Sequence, residues 1–442
     1  MADNEPSVWR KTIIASMTNY IDAGSIVAGG AGLVLWVKYL GMSNLQIGLL
    51  GAFSSNAISA AVGALIGGFI CDRYGRKVVY TYDLLFYMLG MLGIVFATSF
   101  SMLFGGYIIV GLAVGADIVA SWTLIAENAP AENRAKHCGS AQVAWALGPA
   151  VVLILSVLFG DLGLLGNRLV FGHLIIVAFI TWILRLKMPE SDSWVANKAK
   201  EKELIEQGKL EKFGMKDLFS ATNFKTLCFL LGVYLIWNLC AGTMGFFMPF
   251  IYQTVGGVDG TTANMLQCGL FLISAVATYS IFMSWGDRIS RRLIYGVIGS
   301  LFIGSWAIFL LPAESIGINM LIVFVILTGI NNGAGQQAFY QLWASELFPT
   351  RYRASAQGFM FFAVRISLGI WSVFVPIIMG MYGFKMAAII MVGFAVISML
   401  IGTIFTPNTA GKTLEQIERE RYGDVADRKV IDDHTPDISL SH

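Results

Sequence analysis

The residues of this sequence best placed to do chemistry are ionisable and amide side chains set inside long apolar runs. Asp22, in Asn19-Tyr20-Ile21-Asp22, follows Lys11 by about a dozen residues and so lies near the middle of such a run. Ionisable groups at that depth are costly and usually functional. Desolvation favours the neutral acid, so such a group can take up and release a proton near neutral pH. Asp22 reads either as a proton-coupling carboxylate or as half of a buried structural pair. Asp117 lies deep in another run. Arg365, in FFAVRISLGIW, is the only basic residue expected deep in the apolar stretches. It can serve as counter-ion to Asp22 or Asp117, or it can meet an anionic solute. Asp83 lies close to the end of its run, where a solvated or capping role is expected.

Amides form the second group. One run holds Asn331, Asn332, Gln336, Gln337 and Gln341, with Tyr340 and Trp343 interleaved. Gln337 and Gln341 are spaced i, i+4 and share a helix face. Trp237-Asn238 and the pair Gln142 and Trp145 lie in two other runs. Amides both donate and accept, as a polyhydroxyl ring requires, and aromatic faces stack on its C–H surfaces. The same amides can instead bond helix to helix, which membrane bundles also do.

These groups must be held by elements that cross a membrane. Mean hydropathy is +0.69 and 13% of the residues are charged, against roughly 25% in a soluble domain. A chain so poor in charge cannot coat itself with a polar surface, so its solvent is largely lipid. About twelve runs reach the length of roughly 20 residues that a spanning helix needs. They lie near 12–37, 46–71, 78–98, 101–125, 137–160, 168–187, 224–252, 262–285, 292–312, 317–344, 355–382 and 384–405. Small residues at four-residue spacing, Ala28 with Gly32 and Gly63 with Gly67, allow close helix approach. The expected fold is an all-α membrane protein with twelve transmembrane helices in two pseudo-symmetric six-helix bundles.

Lys and Arg fall in alternate loops, which places both termini and the long central loop in the cytoplasm of a cell-membrane protein. Residues 1–187 make the first bundle, 188–222 a cytoplasmic linker, 223–405 the second bundle and 406–442 a cytoplasmic tail. Within the linker, KAKEKELIEQGKLEKF reads as an amphipathic helix on the membrane face or as a solvated connection. The tail begins helix-like (TLEQIERERYG) and ends polar. No cleavable leader is expected, because the N-terminal segment is short and polar. The net charge of +2 gives no reason to expect a nucleic acid partner. Cys71, Cys138, Cys228, Cys240 and Cys268 show no CxxC spacing, and the four histidines are scattered. No metal, disulfide or cofactor is therefore expected. No nucleophile–base constellation points to an enzyme, and the chain is expected to be a monomer.

Two motifs repeat. Gly68-Phe-Ile-Cys-Asp72-Arg73-Tyr-Gly75-Arg76-Lys77 closes the second run, and Asp287-Arg288-Ile-Ser-Arg291-Arg292 closes the eighth, 215 positions later from Asp72 to Asp287. Glu127, Pro130 and Arg134 end the fourth run as E-x-x-P-x-x-x-R; Glu346, Pro349 and Arg353 end the tenth in the same pattern, 219 positions on. Two motifs at nearly one offset make the chain two parallel repeats about an axis along the membrane normal. Gly68 lets a neighbouring helix approach Asp72. Such charges are expected to be partly exposed and individually weak, yet able to bias a two-state equilibrium when present in one state alone.

The G-x-x-x-D-R-x-G-R-K loop resembles the signature of the major facilitator superfamily, and the resemblance extends from about residue 10 to 420. Pro189-Glu190-Ser191, Glu346-Leu-Phe-Pro349 and Gly411-Lys412-Thr413-Leu414-Glu415 are similar to motifs of its sugar-porter branch. NYIDAGSIVAG in the first span is most similar to bacterial inositol and related sugar carriers. The second copy departs at Ser290, where the pattern has Gly. The resemblance implies uptake of a small polyhydroxyl solute by alternating access with proton symport. It implies a coupling role for Asp22, since proton-coupled sugar porters carry an Asp at the matching place. Their fourth-span Arg falls on Tyr107 here, a departure from the family pattern. Gln341 falls where their tenth-span Trp usually sits. Related organic-anion carriers have an Arg near the position of Arg365, which leaves a carboxylate solute open. A membrane sensor that kept the fold is the alternative of another class.

Overall fold

The computed structural model describes residues 7–53, 57–208 and 215–423, and the regular structure in them is helical. The first half contains α1 (Val8–Leu40), α2 (Asn44–Ala52), α3 (Ile58–Tyr74), α4 (Arg76–Val95), α5 (Phe100–Asn128), α6 (Arg134–Leu158) and α7 (Leu164–Leu186). After α8 (Asp192–Glu206) the second half contains α9 (Ala221–Thr254), α10 (Gly260–Ala277), α11 (Met283–Trp285), α12 (Arg291–Ala307), α13 (Ile318–Ala334), α14 (Gln336–Glu346), α15 (Arg353–Tyr382) and α16 (Phe384–Ile404). α17 (Leu414–Tyr422) follows.

Among the described residues, 11 helical stretches are long and apolar enough to cross a membrane. The expected second span, 46–71, supplies the remaining one. It is divided between α2 and the 17-residue α3, with 54–56 outside the described residues. Two other expected spans are broken. The tenth divides at Gly335 into α13 and α14. The eighth passes from α10 through a π-helical turn, Thr278–Phe282, into α11. Such turns interrupt the regular backbone ladder and recur at functional sites. Here Thr278 Oγ1 donates to the carbonyls of Ser274 and Gly333, both at 2.8 Å.

The packing order repeats. α1 lies on α6, α3 on α5, and α4 on α5 and α7; in the second half α9 lies on α15, α10 on α13, and α12 on α13 and α16. The halves meet where α3 packs on α15 and α6 on α10, which are equivalent pairs under the same pseudo-two-fold. Phe86, Leu89, Val157, Leu158, Ile176 and Leu293 remain exposed on the outer surface, as side chains solvated by lipid do.

Helix in the linker begins earlier than its charge pattern indicates. Ser191 Oγ accepts the Trp194 N–H at 3.2 Å and starts α8. Residues 209–214 lie outside the described residues, as does the tail beyond Gly423. α17 opens with a capping box, Thr413 with Gln416. Both α8 and α17 lie on the face where the bundle begins and ends, called here the terminal face. Trp194 Nε1 donates to the Asp72 carbonyl at 3.2 Å, and Tyr422 Oη donates to the Leu347 carbonyl at 2.9 Å.

Candidate functional site

The repeated charges meet on the terminal face as two equivalent clusters. Asp72 ends α3, and its carboxylate accepts the N–H groups of Ala354 (3.3 Å) and Ser355 (2.6 Å) at the start of α15. Asp287 accepts the N–H groups of Ala135 (3.0 Å) and Lys136 (3.1 Å) at the start of α6. Each acid therefore caps a helix of the opposite half, where orphan donors and the helix dipole favour negative charge. Glu127 is held by Arg76 (2.8 Å) of its own half and Arg353 (2.9 Å) of the other. Glu346 is held by Arg291 (2.8 Å) and Arg134 (3.1 Å) in the same way. Arg76 and Arg291 also reach Asp72 and Asp287, both at 3.3 Å.

The expectation of partly exposed, weak pairs is corrected. The side chains of these pairs are 0–7% accessible, because the close approach of α3 to α15, and of α6 to α10 and α11 at the equivalent seam, excludes water. Gly68 makes that approach possible: a Cβ there would lie 2.4 Å from the Ala354 carbonyl oxygen. Gly75 turns the chain between α3 and α4 with φ 103°, a region that favours glycine. Arg73 and Arg288 lie exposed, and Arg73 rests over Phe69 and Tyr74. Glu190 joins the first cluster by accepting the N–H groups of Arg76 (3.1 Å) and Lys77 (3.0 Å). Ser191 donates to Glu127 (2.6 Å), and Thr409 donates to Glu346 (2.6 Å) in the equivalent place.

The middle of the bundle carries the amides. Trp237 Nε1 donates to Asn331 Oδ1 (2.9 Å), and Asn331 Nδ2 donates to Gln336 Oε1 (2.6 Å). Gln142 Nε2 crosses between the halves to the Asn332 carbonyl (2.7 Å), and Asn332 Nδ2 reaches Ser274 Oγ (3.3 Å). Several buried polar atoms are left without a hydrogen-bond partner among the described residues: Gln142 Oε1, Gln336 Nε2, Gln341 Nε2, Tyr340 Oη and both carboxylate oxygens of Asp22. Gln337 and Asn238 are buried nearby in sequence, and Trp145 meets Phe271 edge-on.

An aromatic stack lies among these groups that their sequence did not single out. Tyr234 and Tyr340 are parallel with centroids 3.9 Å apart, and Trp122 meets Tyr340 edge-on at 6.1 Å. Trp122 Nε1 donates to Asn19 Oδ1 (2.9 Å), three residues before Asp22. The Arg365 guanidinium lies 4.6 Å from the centroid of the Phe361 ring. Arg365 and Asp117 are among the charged groups near Asp22. A cleft of about 900 Å³ lies elsewhere, between α8 and the end of α3, lined among others by Phe69, Arg73, Tyr74, Trp194 and Lys198.

Two expectations about deep charge are corrected. Arg365 is not the only deep basic residue. Arg185, at the end of α7, is 2% accessible and turns inward, because its long side chain can reach acids a turn deeper. It pairs with Asp117 (2.8 Å) and with Asp83 (3.5 Å). Asp117 thus has Arg185 as its counter-ion, and Asp83 is buried rather than solvated.

Two six-helix halves of matching packing order, joined by exchanged charges on one face and polar at the middle, define a secondary transporter of the major facilitator type. The chain belongs to the sugar (and other) transporter family, whose model matches residues 16–420. It is 58% identical over 415 residues to the minor myo-inositol transporter IolF of Bacillus subtilis (strain 168), with 94% of each chain covered. It is 24% identical over 407 residues to the major myo-inositol transporter IolT of that organism, covering 83% of this chain and 84% of that one. Its fold matches that of the proton:xylose symporter XylE from E. coli with a TM-score of 0.77 at 18% identity, covering 94% and 99% of the two chains. The family, the twelve-helix fold in two halves and the role of a sugar-type transporter rather than an enzyme are as the repeated motifs imply.

Proposed function

We propose that this protein carries myo-inositol or a closely similar polyol across the cell membrane in symport with protons. The observation that carries the reading is the cluster of buried, unpartnered amide and hydroxyl groups contributed by both halves beside the tyrosine stack. Such a set matches a ring that donates and accepts all round its edge and is apolar on its faces. The 58% identity to a myo-inositol transporter supports the same substrate class. Gln142, Trp145, Trp237, Asn238, Asn332, Gln336, Gln337 and Gln341 are the proposed solute contacts, and Tyr340 joins them.

Asp22 is the proposed coupling group. A carboxyl with no hydrogen-bond donor on either oxygen is suited to hold a proton and to lose it when its surroundings change. The excess of Lys and Arg in alternate loops supports a cytoplasmic terminal face. Residues 1–187 and 223–405 then rock as two bodies about the midplane site. The charge clusters hold the cytoplasmic side shut and part as it opens. The chain acts as a monomer, since each half supplies the other's partners.

Counterflow of labelled myo-inositol, hexoses and sugar acids in proteoliposomes tests the reading. Exchange of myo-inositol is expected, with net uptake abolished by a protonophore. Exchange of none of these solutes refutes it. A second reading, an organic-acid carrier, rests on the buried Arg365 guanidinium beside Phe361. Exchange of acids alone, lost in Arg365→Ala, favours that reading.

A further inference from the structure

Between Asp22 and the terminal face the first half holds a second group of buried charges whose signs do not balance. Arg185 supplies one guanidinium, and the same Nη1 atom meets Asp117 Oδ1 at 2.8 Å and Asp83 Oδ2 at 3.5 Å. All three side chains are 1–3% accessible. Asp117 is well supplied with donors: Ser121 Oγ reaches Oδ1 at 3.1 Å and Thr18 Oγ1 reaches Oδ2 at 2.9 Å, while Thr18 also contacts Arg185 Nη2. Asp83 Oδ1 accepts the N–H of Leu84 at 2.6 Å. Its Oδ2 has the longer Arg185 contact, and the Asp117 carboxyl lies within hydrogen-bonding reach of the Asp83 carboxyl, so one proton can sit between the two acids.

Other groups face the pair from each packed element. Tyr80 of α4 lies beneath the guanidinium, its ring centroid 4.5 Å away. Thr18 and Asp22 belong to α1, Ser121 to α5 and Cys71 to α3. None of these adds a positive charge. Two ionised carboxylates against one cation would leave a net negative charge in the bundle, which burial penalises heavily. One bound proton makes the group neutral.

We infer that Asp83 and Asp117, bridged by Arg185, form a second proton-binding site that holds one proton, seated on Asp83 Oδ2. Asp117 keeps its donors from Arg185, Ser121 and Thr18. Thr18, which bonds Asp117, lies one helical turn from Asp22 on α1, on the side of the terminal face. Asp83 lies about two turns into α4 from that face. The site therefore lies on the way from Asp22 to the proposed cytoplasmic side. This deepens the symport reading and rests on it for the proton's route; the proton itself is bound whether or not solute is present.

The test is infrared absorption of protonated carboxyl groups in the purified full-length protein, reconstituted in lipid at near-neutral pH without solute. Against the wild-type band, Asp83→Asn is expected to lose the C=O absorbance of one carboxylic acid. Asp117→Asn is expected to lose the same amount, since Asp83 then becomes the single carboxylate opposite Arg185. Either variant is charge-balanced, so each is expected to fold. An unchanged band in both overturns the site, and loss in Asp83→Asn alone overturns the shared proton. Myo-inositol counterflow on the same wild-type preparation reports separately on the solute reading, and its absence leaves the infrared result standing.

Discussion

Glu127→Gln tests the claim that exchanged charges hold the halves together. Glu127 Oε1 accepts from Arg76 at 2.8 Å and from Arg353 at 2.9 Å, and its side chain is fully buried. The Arg76 contact lies within one half and survives any rigid movement of the halves. The Arg353 contact crosses between them and exists only while the terminal face is shut. Glutamine keeps the shape and removes the charge, so the closed state loses one charge-assisted hydrogen bond that the open state never had. Such a bond contributes ~1.5–3 kcal/mol. At 1.36 kcal/mol per decade the ratio of open to closed should rise by about 10- to 150-fold. Spin labels at positions 73 and 288, exposed on opposite halves and outside the clusters, with the exposed Cys228 replaced by Ser, report that ratio as a distance distribution. A change smaller than two-fold would show that the buried pairs do not bias the equilibrium.

Glu346→Gln should shift the same distribution by a similar factor, since Arg134 crosses to Glu346 as Arg353 crosses to Glu127; a marked difference in size would break the equivalence of the clusters. Gly68→Leu should open the terminal face too. Its Cβ would fall 2.4 Å from the Ala354 carbonyl, and overpacking of this kind costs ~1–3 kcal/mol; unchanged labelling distances would contradict it. Asp22→Asn should abolish accumulation of solute against a gradient while leaving exchange counterflow in place, and retained accumulation assigns coupling elsewhere. Gln341→Ala should raise KM for the solute by about 2- to 13-fold, one hydrogen bond of ~0.5–1.5 kcal/mol, and an unchanged KM removes Gln341 from the solute contacts.

The charge clusters were legible because acids and bases stand out in a charge-poor chain and because they occur twice. Their exchange between halves was not. Arg134 follows Glu127 by seven positions, and Arg353 follows Glu346 likewise, so spacing alone pairs each Arg with its neighbour. The closeness of α3 and α15 decides otherwise, and only Gly68 hinted at it. Arg185 escaped notice because a basic residue at the end of a span is ordinarily a topology marker; the reach of its side chain toward Asp117 depends on where α5 and α7 lie relative to each other. The Tyr234–Tyr340 stack was hidden for a similar reason, since aromatic rings in apolar helices most often pack against each other. The break at Gly335 was also invisible, because glycine is common in membrane helices without ending them.

The crossed clusters have an electrical consequence. Among the ion-paired groups, each half contributes two carboxylates and two guanidiniums: Asp72, Glu127, Arg76 and Arg134 from the first, and Asp287, Glu346, Arg291 and Arg353 from the second, while Glu190 bonds backbone within its own half. Either set is neutral by itself. Parting the halves therefore exchanges partners between two neutral sets, so the paired groups themselves carry no net charge through a membrane field in which each elementary charge moved is worth about 2.3 kcal/mol per 100 mV. On the proposed function, these eight paired groups add no net gating charge. On the same proposal, a proton passing Asp22 and the charges beside it is the route by which membrane potential acts on the cycle.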